Sequence, residues 1–208
     1  MTIARTTTRL SVFPLPGALL FPRMHLPLHI FEERYKALMS DAMARDRRIG
    51  MVQPRAEGNP PPLFEIGCVG KIGQFEMLDD GRYNLVLEGL SLFRIVRELD
   101  VATPFRQVEA ELMPMPDAQE ILSLSGRAAL EMEARRFADL QGYAVDWEAV
   151  GRLDDESLVN GVAQIAPFDV AAKQALLESA SLEDRAELIV QLMQFFGRHD
   201  GEDSVTLQ

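Results

Sequence analysis

One cysteine, three histidines and one tryptophan are all that this chain of 208 residues holds of those types. A lone thiol, Cys68, excludes a disulfide framework and a zinc cluster of several thiolates. His25 and His29 are four apart, as in helical zinc sites, but Pro27 lies between them. The segment is therefore extended, and a strand sets those two rings roughly 13 Å apart. No metal site is expected. Aromatics make up 7% of the residues, too few for platforms that stack single-stranded nucleic acid. Long apolar runs are also missing. The stretch 10–28 is cut by Pro14, Pro16, Pro22 and Pro27, which forbids a spanning helix. No secretory core follows the start. The expectation is a soluble protein of the cytoplasm.

Positive charge is scarce as well. There are 21 Lys and Arg against 32 Asp and Glu, a net charge of -11. The excess is not evenly placed. Residues 1–111 hold 14 bases and 14 acids, a balance of zero; residues 112–208 hold 7 and 18, a balance of -11. Two halves so different predict two structural units. An acidic chain is a poor partner for nucleic acid or anionic lipid, which select clustered positive charge.

What is present is an apolar fraction of 47%, enough for a folded core without staples. Short strands are predicted at 10–15 and 24–30, the second an edge strand because Pro27 cannot donate to a ladder. Phe31, Tyr35, Leu38, Met39 and Ala42 then fall at helical spacing. Strands follow at 49–53, at 64–75 with Gly67, Gly70 and Gly73 marking bends, at 82–87, at 90–99 and at 105–113. Leu78-Asp79-Asp80-Gly81 reads as a hairpin turn. From 63 to 113 the reading is all strand, a small bent sheet or partial barrel.

Met113-Pro114-Met115-Pro116-Asp117 reads as the boundary. Beyond it the pattern is helical. Asp117 or Ser123 would cap a helix reaching about Leu140. A second helix over 154–166 places Leu158, Val162 and Ile165 on one face, and Pro167 ends it. A third spans 169–179. A fourth starts at the capping-box-like Ser181-Leu182-Glu183-Asp184 and stops at Gly197. The expected fold class is α+β: a barrel-like unit over 1–115, a helical bundle over 116–200 and a frayed tail over 201–208.

Catalytic motifs do not assemble. Gly70-Lys71 lacks the first glycine of a phosphate loop, with Glu65 in its place, and has Ile72 where Ser or Thr is needed. There is no Gly-x-Ser-x-Gly elbow. Cys68 with His29 as base is one candidate nucleophile, set against a plain buried cysteine in a strand. No cofactor is expected, and the residues point to a binding or scaffolding protein.

An ordered series of short motifs sharpens this. It runs Phe13-Pro14-Leu15, Leu20-Phe21-Pro22, Leu26-Pro27-Leu28-His29-Ile30-Phe31-Glu32, Arg34-Tyr35, and the stretch from Asp41 to Arg47. It continues with Gly67 and Gly70, Asp80-Gly81-Arg82, Gly89, Phe93-Arg94 and finally Lys173-Gln174 with Leu176-Leu177-Glu178. In order and spacing the series resembles the amino-terminal, substrate-binding domain of the Lon protease family, over about 10–196. Arg23, Glu33, Cys68 and Leu92 depart from the residues frequent there: glycine, proline, threonine and arginine.

The resemblance implies a six-stranded pseudo-barrel similar to PUA-like domains, followed by helices. It implies recognition of protein segments without hydrolysis of ATP or peptide bonds. With no Walker or protease motif present, the chain is expected to be a stand-alone protein of this type. Partners would be unfolded or exposed protein segments, and an associated protease or chaperone; no membrane is expected, nucleic acid is disfavoured, and a homo-oligomer stays open. The expected contact surface is an exposed apolar loop of Leu19, Leu20, Phe21, Met24 and Leu26, with Arg23 and His29 beside it. Phe31, Glu32, Arg34, Tyr35, Gly67, Gly70, Asp80, Gly81, Arg82, Gly89, Phe93 and Arg94 are expected to hold the fold, with Phe31 and Tyr35 packing on the barrel. Two alternatives remain open. One is RNA binding through a groove of Arg23, Arg34, Arg45, Arg47, Arg48 and Arg94. The other is a small-molecule site near Cys68 or His29.

Overall fold

The structure is a computed structural model that describes residues 7–115 and 119–202, with side chains described as far as Gly197. Asp117, the side chain of His199 and the end of the expected tail lie outside the described residues. The chain divides into two compact units, Met1–Met115 and Pro116–Gln208.

The first unit is built from β1 (Thr7–Pro14), β2 (His25–Ile30), α1 (Glu33–Met43), β3 (Arg48–Val52), β4 (Ile66–Met77), β5 (Tyr83–Glu98) and β6 (Gln107–Leu112). The sheet order is β2-β5-β4-β3-β1-β6, and a further β5–β6 pairing closes it into a barrel. Only β1 and β3 run parallel among the described pairs. The sequence predicts two strands over 82–87 and 90–99, but these form the single strand β5. Its first part pairs with β2, from Tyr83 opposite Ile30 to Glu88 opposite His25. Its second part pairs with β6, from Phe93 opposite Leu112 to Glu98 opposite Val108. β4 lies along both parts, with register shifts after Val69 and Ile72 that bend the sheet.

Tyr35, Leu38, Met39 and Ala42 lie on one stripe of α1 and are buried. They join Phe13, Leu20, Ile49, Met51, Ile72, Leu85 and Leu87 in one core. Tyr35 meets Phe13 edge to face at 4.1 Å between ring centroids, and its hydroxyl donates to the Pro14 carbonyl at 3.3 Å. Phe31 departs from expectation: it is 61% exposed. The reason is strand alternation. Ile30 takes the inward place at the end of β2, so the next residue points out, and the helical face begins only at Tyr35.

The second unit contains α2 (Leu124–Gln141), α3 (Trp147–Gly151), α4 (Asp155–Ile165), α5 (Val170–Leu177) and α6 (Leu182–Glu202). Ser123 caps α2, accepting from the Gly126 amide at 2.9 Å. Gly142 ends α2 in the left-handed region. Asp146, Asp154 and Asp169 cap the next three helices, as short acceptors do. Two expectations fail here. Gly197 does not stop α6, which continues to Glu202. A Cβ there would lie 3.4 Å from Leu140 and 3.7 Å from Phe137, so packing on α2 outweighs the roughly 1 kcal/mol cost of a helical glycine. Of Leu158, Val162 and Ile165, only Leu158 is buried; Val159 and Ala163 complete the inward side, and Ile165 is 81% exposed. Among the described residues no helix is long and apolar enough to cross a membrane.

Candidate functional site

Alternation along β2 turns His25, Pro27 and His29 outward. The pairings set Val86 opposite Pro27 and Asn84 opposite His29, and Glu76 opposite Asn84. β4 slips register between Ile72 and Phe75, and Gln74 and Phe75 stand beside the opening this leaves. The result is a cleft of about 430 Å³, with Pro27 and Val86 in its lining and His29, Asn84 and Glu76 beside them.

A chain of polar contacts runs along one side. Asp80 takes the Arg82 guanidinium at 2.6 Å. Arg82 Nη1 lies 3.2 Å from His29 Nε2, and His29 Nδ1 lies 2.8 Å from Asn84 Oδ1. Asn84 Nδ2 then donates to Glu76 at 3.3 Å. A guanidinium only donates, so His29 accepts at Nε2 and donates from Nδ1. The Arg82 hydrogen bonds hold the Asp80 carboxyl below its usual range and raise the guanidinium in turn. Aromatics stand at the rim. Phe31 lies 6.3 Å from His29 between ring centroids, Phe75 stacks on Tyr83 at 5.1 Å, and Met77 is exposed.

The expected contact loop is largely overturned. Leu19, Leu20 and Phe21 are buried, at 2%, 1% and 0% exposure. After Gly17, at φ +74°, the chain turns in against the barrel. A Cβ on Gly70 would lie 2.9 Å from Leu20, and Leu20 belongs to the core. These three side chains offer no contact surface. Leu26 is half-buried against the core, and Met24 is half-buried with its carbonyl accepting from the Gly89 amide at 2.9 Å. Arg23 is exposed at φ +64°, a left-handed position where glycine is easier. Only His29 of the expected set lines the cleft. Phe75 and Met77 lie past the glycine-marked bends, where the residues alone do not tell the inward face of the strand from the outward one.

The motif residues serve the fold in specific ways. Glu32 pairs with Arg34 at 2.8 Å, and the Arg34 guanidinium lies 4.5 Å over the Tyr35 ring. Burial raises the Tyr35 pKa. Gly81 takes φ +76° in the hairpin turn. Gly67 leaves room for the buried Phe93 ring. Arg94 pairs with Glu65 at 3.2 Å.

The remaining candidates separate. Cys68 is buried on β4, and burial pushes its thiol far above the ordinary range. It sits opposite Leu92, eight positions along β5 from Asn84, the partner of His29. The two cannot form a nucleophile–base pair. Among the described residues no group of three or more His, Cys, Asp or Glu could hold a metal ion. Arg34, Arg45, Arg48 and Arg94 pair with Glu32, Asp41, Asp46 and Glu65. Arg45 and Arg48 share a cleft of about 210 Å³ with Arg9, Asp41 and Asp46, and the two aspartates there pair with Arg45 and Arg48.

Comparison with known proteins gives one consistent result. A family model described as the ATP-dependent protease La (LON) substrate-binding domain matches residues 9–194. "Lon protease 2" of Myxococcus xanthus is 29% identical over 192 residues, 88% of this chain and 23% of that protein. "Lon protease" of Escherichia coli strain K12 is 26% identical over 194 residues, 89% of this chain and 24% of its own length. The chain thus spans about a quarter of these relatives. Among solved structures, a Lon N-terminal domain protein from Xanthomonas campestris superposes with a TM-score of 0.66 at 21% identity, covering 88% of this chain and 98% of that one. The N-terminal domain of Mycobacterium avium complex Lon protease gives 0.65 at 20% identity, covering 90% and 98%. These last two likenesses concern the fold.

Proposed function

This chain belongs to the ATP-dependent protease La (LON) substrate-binding domain family, and from that we propose that it is a non-catalytic module that binds exposed or unfolded protein segments. It works in the cytoplasm as an adaptor, presenting such segments to a protease or chaperone. Its two compact units act as separate domains, the barrel carrying the contact surface. That surface comprises Arg23, Met24, His29, Phe31, Phe75 and Met77.

The observation that carries this reading is Phe31. It is a large aromatic inside the most distinctive motif, yet it is 61% exposed. An exposed aromatic beside a cleft with an apolar floor is the usual form of an interaction site. Nothing in the barrel core requires it.

The test is binding of the intact chain to a permanently unfolded, cysteine-blocked protein, compared with the same protein folded. Preferential capture of the unfolded form, weakened about tenfold or more by Phe31→Ser, is the expected result. Equal capture of both forms, or no effect of Phe31→Ser, would sink the proposal.

A further inference from the structure

The helical unit holds a second opening, unrelated to the barrel cleft. It is a groove of about 600 Å³ between α2, α3 and α4, lined by Phe137, Tyr143, Trp147, Val162 and Ile165 among others. That volume is within the range of natural ligand sites, about 300–1,000 Å³. Val162 and Ile165 make sense here. They are the apolar side chains of α4 that the core does not take.

Two of the polar groups in the lining are already engaged. Glu131 accepts from Arg127 at 2.9 Å, and the Ser157 hydroxyl donates to Asp154 at 2.8 Å. Among the described residues no cation lines the groove. The segment that supplies α2, α3 and α4 is acidic. Between Leu124 and Phe168 there are eight carboxylates and four arginines. Each arginine has a partner: Arg127 holds Glu131 and Asp155, Arg136 holds Glu133, and Arg152 holds Glu148. Arg135 lies over the Trp147 ring at 4.5 Å. A second copy of this acidic chain would bring like charge to like.

We propose that this groove seats an apolar protein segment flanked by lysines or arginines. The apolar floor takes the side chains and the acidic segment selects the flanks. This goes beyond the barrel reading, which assigns no charge preference and no role to the helical unit.

Trp147 is the sole tryptophan of the chain and lines the groove, so its emission reports occupancy. The intact protein is titrated with two amphipathic peptides of equal length and identical leucine face, one with lysine flanks and one with glutamate flanks. Sodium laurate, below its micellar range, is the third probe. The lysine peptide should shift Trp147 emission saturably and weaken with salt, and the glutamate peptide should bind about tenfold more weakly or less. Gly161 has open space where its side chain would be and sits within α4, so Gly161→Leu fills the groove while favouring the helix. It should abolish the response and leave the thermal melt at or above wild type. Ile165→Lys, at an exposed position, should weaken the lysine peptide and strengthen the glutamate one; it decides the matter if Gly161→Leu does not fold. Phe31→Ser should leave the Trp147 response intact, which separates this site from the barrel surface. Equal binding of both peptides, a response to laurate alone, no response to any probe, or full binding by a folded Gly161→Leu would overturn the proposal.

Discussion

Gly89 on β5 and the carbonyl oxygen of Phe21 leave no space between them for a methyl group. The same glycine ties down the loop before β2: its amide donates to Met24 at 2.9 Å and its carbonyl accepts from the Arg23 amide at 2.8 Å. Gly89→Ala should therefore push this loop off the barrel and lower stability by about 1–3 kcal/mol. Thermal melts of the two proteins would measure it, and an unchanged midpoint would contradict the close approach.

Phe31 and Tyr35 lie four residues apart with opposite fates. Tyr35→Ala should cost about 3–5 kcal/mol, because it empties a buried site against Phe13. Phe31→Ala should stay within about 0.5 kcal/mol, as exposed positions do. Denaturant titration of both variants checks the pair. The reverse order would return Phe31 to the core.

Asp154 caps α4, accepting from the Ser157 amide at 2.8 Å and from the Ser157 hydroxyl at 2.8 Å. Those bonds, the amide first, hold its carboxyl below the usual range. A carboxyl depressed in the folded state contributes stability above its unfolded pKa and loses it as the pH falls through the folded one. Asp154→Asn keeps an acceptor but cannot titrate. It should melt close to wild type at neutral pH and lose less on acidification. Asp154→Ala should lose about 1 kcal/mol even at neutral pH. Melts from neutral to strongly acid pH distinguish the three.

Local features were legible in the residues. Alternation gave β2, the buried stripe gave α1, and Ser123, Asp154, Asp169 and Ser181 marked helix starts. Non-local features were not. The closing β5–β6 pairing joins segments by register alone. The run of Leu19, Leu20 and Phe21 sits among prolines and looks like surface loop, yet Gly70 and Gly89 open room for it. α3 has five residues, too few for periodicity to reveal, so the groove it helps enclose was invisible as well. The candidate site suffered most, because an exposed Phe31 and a buried one look alike until strand alternation is known to run one residue past Ile30.

Among the described strands, ring closure leaves β2 with one open side, and Pro27 sits near its middle. Open strand edges are templates on which loose polypeptides add strand upon strand into fibrils. Pro27 has no amide to lend, so such growth is interrupted where it would begin. The barrel thereby keeps an open strand whose backbone is guarded against recruitment into such deposits.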